Sequence, residues 1–387
     1  MNRRRTTSAA VLLALLLPLP LAAAGTSAAA DSPAVAESRR TTVELPRPTG
    51  RFSVGQETLH LVDRSRTDPW AQSGPRELMV TMRYPAQRGT GGPVRYLTRE
   101  EARLLLVDRG LDQAIPVETL AGTAAHSRSH ARPVAGRYPL IVLSPGFTVP
   151  RATLTALAED LASRGYVVAA VDHAYESAGT AFPGGRVLQC LACEKVEAAG
   201  GMQAVSDTRA RDVSFLLDRL TGRDPAWRHA GLIDRSRIAM AGHSIGGASA
   251  AAAMATDPRV RAGVDMDGGL ATPVPETGLG GRPFMLLGAQ NRAPGGNPSW
   301  DSEWPKLDGW KRWITFADSG HFTFSDFPVI GDRLGLPSPE APLSGARSVE
   351  LTRRYVGAFF DQHLKGTPQP VLDGPSADAP EVRFHTP

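Results

Sequence analysis

The stretch Arg237-Ile238-Ala239-Met240-Ala241-Gly242-His243-Ser244-Ile245-Gly246-Gly247 decides how this chain is read. Residues 237–241 are an apolar run short enough for a buried strand. An alanine-rich run with helical character follows, over residues 247–255. Between them, Gly242-His243-Ser244-Ile245-Gly246 has the Gly-x-Ser-x-Gly form. Alone, that pattern is weak, because Gly and Ser are common. Between a strand and a helix it describes a sharp turn that forces strained backbone angles on the serine. The glycines keep side chains away where strand and helix nearly touch.

Outward from this turn, apolar runs recur at 138–143, 166–171, 260–266, 283–287 and 311–316. Helical patterns lie between them at 152–164 and 207–220, and another closes the chain at 349–364. Runs that are apolar throughout and alternate with helices predict a mostly parallel sheet covered on both faces. With the serine turn, this is the α/β-hydrolase fold. The expected catalytic domain spans 45–370, with a Pro-rich C-terminal tail over 371–387.

The N-terminus reads as an export signal. Arg3, Arg4 and Arg5 precede an apolar run at 9–23, and Ala22-Ala23-Ala24 and Ala28-Ala29-Ala30 both offer a small-residue cleavage pattern. The apolar run is too short to span a bilayer comfortably. The reading is a cleaved signal over 1–30, a flexible leader over 31–44 and an extracellular mature protein. Residues 1–30 hold three Arg and no acid, so their removal lowers the net charge of +4 by three. The basic balance is then no argument for a nucleic-acid partner. Cys190 and Cys193 are the only cysteines, and in an exported chain they predict a local disulfide that stiffens a loop.

A serine hydroxyl needs a base to take its proton. In this fold the chain order is Ser, acid, His. Three histidines follow Ser244: His321, His363 and His385. His363 falls in the closing helix and His385 in the tail. His321 follows a strand directly, beside Gly320, and is the predicted base. The usual acid slot holds Gln290-Asn291, with no carboxylate. One strand earlier the chain reads Asp265-Met266-Asp267-Gly268-Gly269. Asp267 is the predicted acid, with Asp265 and then Asp301 as rivals. The oxyanion donors expected are the backbone N–H groups of Ile245, next to the nucleophile, and of Phe147, in Ser144-Pro145-Gly146-Phe147.

These residues resemble the plasma-type (group VII) platelet-activating-factor acetylhydrolase family and its bacterial relatives, from about Leu45 to Leu364. The resemblance is carried by residues 48–55, Arg76-Glu77-Leu78-Met79-Val80, Ser144-Pro145-Gly146-Phe147 and Val171-Asp172-His173. It is most specific in Gly242-His243-Ser244-Ile245-Gly246-Gly247, Asp265-Met266-Asp267-Gly268 and His321-Phe322-Thr323-Phe324-Ser325-Asp326-Phe327. It implies a serine esterase without metal or cofactor, acting on short-acyl phospholipids or related lipid esters, with peripheral contact to lipid surfaces. It favours Asp267 as the acid and matches Phe147 and Ile245 as oxyanion donors. The loop around Cys190 and Cys193 lies outside the pattern, and no apolar membrane-docking helix is evident. The serine and Phe147 motifs also resemble actinobacterial lipases and polyester hydrolases, which place the acid where this chain has Asn291. A broad-specificity lipase or polyester hydrolase is therefore the alternative. A hydrolase fold kept as a non-catalytic binding module is a third reading, opposed by the complete Ser, Asp and His set.

Overall fold

The computed structural model describes residues 42–336, 338 and 340–387. The expected signal (1–30) and residues 31–41 of the expected leader lie outside the described residues. The strands that place the site are β1 (Ser53–Thr67), β2 (Pro75–Ala86), β3 (Tyr138–Ser144), β4 (Val167–His173), β5 (Ile233–His243), β6 (Val260–Met266), β7 (Phe284–Gly288), β8 (Lys311–Phe316) and β9 (Val382–His385). They lie in one eleven-stranded sheet in the order β9-β8-β7-β6-β5-β3-β4-β2-β1, with two two-residue strands beyond β1. Strands β3 to β8 run parallel to one another, while β2 pairs antiparallel with both β1 and β4, and β9 pairs antiparallel with β8.

Side chains alternate across the sheet, so each central strand feeds two cores. Leu140 and Val142 of β3 face one way, packed with Val213, Leu216 and Leu217 of helix α3 (Gly201–Thr221). Ile141 and Leu143 face the other, with Leu157 and Leu161 of α2 (Thr155–Ser163) and with Tyr355 and Phe359 of the closing helix Gly345–Lys365. This two-sided burial is why the strands read as unbroken apolar runs. Helix α1 (Arg99–Asp108) opens with a capping box between Thr98 and Glu101. Among the described residues, no helix is long and apolar enough to cross a membrane.

The chain leaves β3 toward β4 on one side and returns to β5 on the other. Crevices form at such switch points, beyond the carboxyl ends of the strands. Ser144 ends β3 opposite Gly242 of β5, so the serine turn and the loop after β3 meet there.

Two boundaries differ from the sequence reading. The expected leader reached residue 44, but Val43 is fully buried and its carbonyl accepts from Ala124 N at 2.7 Å. The folded part therefore begins before 45, because Val43 and Leu45 share a core with Leu105 and Ile115. The expected tail 371–387 contains β9, which pairs along β8 from Val382↔Phe316 to His385↔Trp313. Its alternation buries Val382 in the core. The segment between β4 and α3 has structure of its own. It carries the hairpin Thr180–Ala181 with Val187–Leu188 and a short helix, Ala192–Lys195, before α3 starts at Gly201.

Candidate active site

Ser244 sits between β5 and α4 (Ile245–Thr256) with φ 56° and ψ −130°. A non-glycine residue there is strained and persists only where its surroundings over-determine it. The surroundings are tight. A Cβ on Gly242 would lie 2.2 Å from the backbone of Gly246, and one on Gly246 would lie 2.1 Å from the Ser144 carbonyl oxygen. Ser244 N donates to Met266 O at 2.8 Å, tying the turn to β6.

His321 follows β8 on a 3-10 turn. Its Nε2 is 3.1 Å from Ser244 Oγ, and its Nδ1 is 2.6 Å from Asp267 Oδ2. The imidazole side chain is 40% exposed, while that of Asp267 is 2% exposed. One end of the array thus meets solvent and the other is sealed. Asp267 lies just past β6 with φ 62°. Its Oδ1 accepts from Ala289 N at 2.7 Å and from Arg292 Nε at 3.3 Å. The slot that lacks a carboxylate in sequence therefore contributes the groups that hold the carboxylate of the neighbouring strand.

The rival acids lie elsewhere. Asp265 accepts from Trp300 Nε1 at 3.1 Å and Gly268 N at 2.8 Å, with no contact to His321. Asp301 accepts from Gly295 N. Burial pushes the Asp265 carboxyl up to about 7, from an ordinary 3.8. Between those values the folded state keeps a proton that the unfolded state has released. The group's contribution to stability therefore falls as pH rises through that window. Asp265→Asn removes this titration. The stability advantage of wild type over the variant is expected to shrink between about pH 4 and pH 7, by up to about 1.4 kcal/mol per unit, and to level off above. Urea unfolding of both proteins across that range checks it, and a difference independent of pH refutes it.

Three further residues support this array. His243 is buried, and its Nε2–H donates to the His321 carbonyl at 2.7 Å. Its ring lies 4.7 Å from that of His321. Burial, and after it the neighbouring His321, hold His243 down at about 4, so it is neutral. Arg292 also donates to the Asp267 carbonyl. Arg109 bonds to Thr148 and lies 5.1 Å from the Phe322 ring centroid.

Phe147 is half-buried and Ile245 is buried. Among the described residues neither backbone N–H has a protein acceptor. Ile245 directly follows Ser244, and Phe147 packs against the cluster that contains Ile245. Phe147, Tyr175, Leu191 and Ala271 are partly buried against an apolar cluster that includes Ile245 and Ala248, an apolar wall next to the serine turn. Cys190 and Cys193 are bonded to each other in the loop that supplies Leu191. The sequence reading of this pair as a local disulfide agrees with the structure.

The chain matches the family described as platelet-activating factor acetylhydrolase, isoform II, over residues 110–185 and 225–339. It is 30% identical to an Arthroderma benhamiae protein named "Probable 1-alkyl-2-acetylglycerophosphocholine esterase", over 91% of this chain and 96% of that one. The platelet-activating factor acetylhydrolase of Gallus gallus is 23% identical over 59% of this chain and 62% of its own. Among solved structures, a ferulic acid esterase from Streptomyces cinnamoneus superposes with a TM-score of 0.79 at 46% identity, covering 89% of this chain and 99% of that one. A nearly full-length relative at this identity, on a fold shared with a solved esterase, settles the class: the chain belongs to the platelet-activating factor acetylhydrolase family of α/β-hydrolases and is a carboxylic ester hydrolase.

Proposed function

We propose that the protein cleaves its esters through an acyl-enzyme formed at Ser244. The observation that carries this reading is the unbroken contact from Ser244 Oγ through His321 to Asp267. His321 Nε2 takes the hydroxyl proton as Ser244 attacks the ester carbonyl. Asp267 holds the tautomer with Nδ1 protonated and stabilises the imidazolium that forms. The Phe147 and Ile245 amides stabilise the oxyanion. His321 then protonates the leaving alcohol. Water enters, loses a proton to His321 and releases the acid.

The substrate in this reading is a phospholipid or related lipid ester with a short acyl group. The relatives' names and the apolar wall beside Ser244 support it. The partly exposed His321 side chain lets a large leaving group extend toward solvent. Contact with a lipid surface and export after cleavage near Ala24 or Ala30 belong to the same proposal. A second reading has its own support: the identity of 46% to a ferulic acid esterase favours a planar aromatic acyl group against Phe147 and Tyr175.

One series separates them. On the lipid reading, kcat/KM for a phospholipid with an sn-2 acetyl group is expected to exceed that for its long-chain counterpart by about tenfold or more. It should also exceed that for methyl ferulate. A higher value for methyl ferulate installs the second reading, and a flat chain-length profile points to a broad lipase.

A further inference from the structure

Beside the loop that carries Phe147, the fold buries a second serine, histidine and aspartate in line. Ser144 Oγ lies 3.1 Å from His173 Nε2, and His173 Nδ1 lies 2.8 Å from Asp212 Oδ2. The same atoms meet in the same order at Ser244. Yet Ser144, His173 and Asp212 are each at most 1% exposed. No ester reaches Ser144, so this array does no chemistry of its own.

Its direction follows from its donors. Arg209 Nη1 donates to Ser144 Oγ at 3.2 Å and to the Pro145 carbonyl, and a guanidinium only donates. The Asp212 carboxylate only accepts, so neutral His173 carries its proton on Nδ1 and donates it there, and its bare Nε2 accepts from the Ser144 hydroxyl. Burial, and after it the nearby Arg209, push His173 below its ordinary range, which keeps the neutral form this direction requires. Asp212 is anchored by Arg76 and Arg66, and Glu176 ties Arg76 to Arg209.

Both ends of the loop 145–148 are gripped by this network. Arg209 and His173 hold Ser144 and Pro145. At the far end the Glu176 carbonyl accepts from Thr148 N at 2.9 Å, and Ala178 N donates to Thr148 O at 2.7 Å. Thr148 sits at φ 67°, a conformation that a β-branched residue takes only under constraint. Phe147 lies between the two grips.

We propose that Arg209, Ser144 and His173 are positioning residues, a buried relay that locks the peptide planes of 145–148 so that the Phe147 N–H faces the oxyanion before substrate arrives. The inference rests on Phe147 being an oxyanion donor. Such donors act by being fixed in advance, so a loop free to rotate loses rate rather than affinity.

The test uses Ser144→Ala, with His173→Asn read in the same way if the first variant does not fold. Active sites are titrated with a fluorophosphonate. Then kcat and KM per titrated site are measured for an ester and for its thionoester, in which sulfur replaces the carbonyl oxygen. Sulfur accepts hydrogen bonds poorly, so the oxygen-to-sulfur ratio reports the oxyanion contacts. The expected result is a fall in kcat on the oxygen ester of about tenfold or more, with KM and thionoester turnover little changed, so that the ratio collapses. An equal loss on both esters, or an unchanged kcat per titrated site, overturns the relay. A wild-type enzyme with no preference for the oxygen ester overturns the oxyanion reading beneath it, without touching Ser244 as nucleophile.

Discussion

Ser244→Ala is expected to lower kcat by about five to six orders of magnitude. Among the described residues the Ser244 hydroxyl is the hydrogen-bond partner of His321 Nε2. The loss should be purely chemical. Alanine occupies the same strained φ of 56° as serine, so the backbone pays the same penalty in both proteins. The thermal midpoint should accordingly stay close to that of wild type. His321→Ala should cost a similar factor, and the double variant little more than either, because the two residues act as one unit. The measurement is turnover of a chromogenic short-chain ester, paired with fluorophosphonate labelling. Retention of even about a hundredth of wild-type turnover in Ser244→Ala, against the loss expected for a nucleophile, sinks the assignment.

Asp267→Asn should be the most damaging change away from the reacting atoms, lowering kcat by about 10⁴. The structure says why the amide settles the wrong way round. Asp267 Oδ1 accepts from Ala289 N and Arg292 Nε. Both partners are donors, so the asparagine carbonyl oxygen must stay on their side. Its NH2 group is then turned toward His321 Nδ1, which becomes an acceptor. The imidazole proton moves to Nε2, facing Ser244 Oγ, and the base can no longer take a proton there. Asparagine tolerates the left-handed φ of 62° as well as aspartate does, so the fold should survive. Asp265→Asn is the control. Its carboxyl touches Trp300 and Gly268 rather than His321, so kcat should change by less than about tenfold, within the range of an indirect packing effect. If the two variants exchange these effects, Asp265 is the acid.

What the sequence made legible is what is local in it. The strand, glycine, serine, glycine and helix around Ser244 are contiguous, and steric necessity writes them into a short stretch. His321 stood out because the other downstream histidines fall in a helix and near the end of the chain. Asp267 was harder. It joins His321 across 54 residues, and its place at a strand end beside Gly268 and Gly269 left Asp265 as a close rival that the family resemblance disfavoured. Arg292 directly follows Gln290-Asn291, a slot that looked empty of acids. It escaped notice because a donor bracing a distant carboxylate leaves no local pattern. His173 was visible in a family motif, but its partners Ser144 and Asp212 lie 29 and 39 residues away. Pairing at such distances is a property of the sheet order, not of spacing. The strand Val382–His385 was missed for a different reason: four residues after a proline-rich run are too few to show a period of two.

That last strand has a consequence for handling the protein. β9 covers β8, whose residues 313–316 otherwise end the parallel sheet. Clip it away and a row of backbone donors and acceptors, flanked by Trp313 and Phe316, becomes the rim of the sheet. Such a rim is a template on which a second copy adds its own strand. With β9 in place, the rim is only four residues long and carries Arg383 and His385, a poor template for growth. In this position β9 blunts an edge that would otherwise invite pairing between copies of the chain.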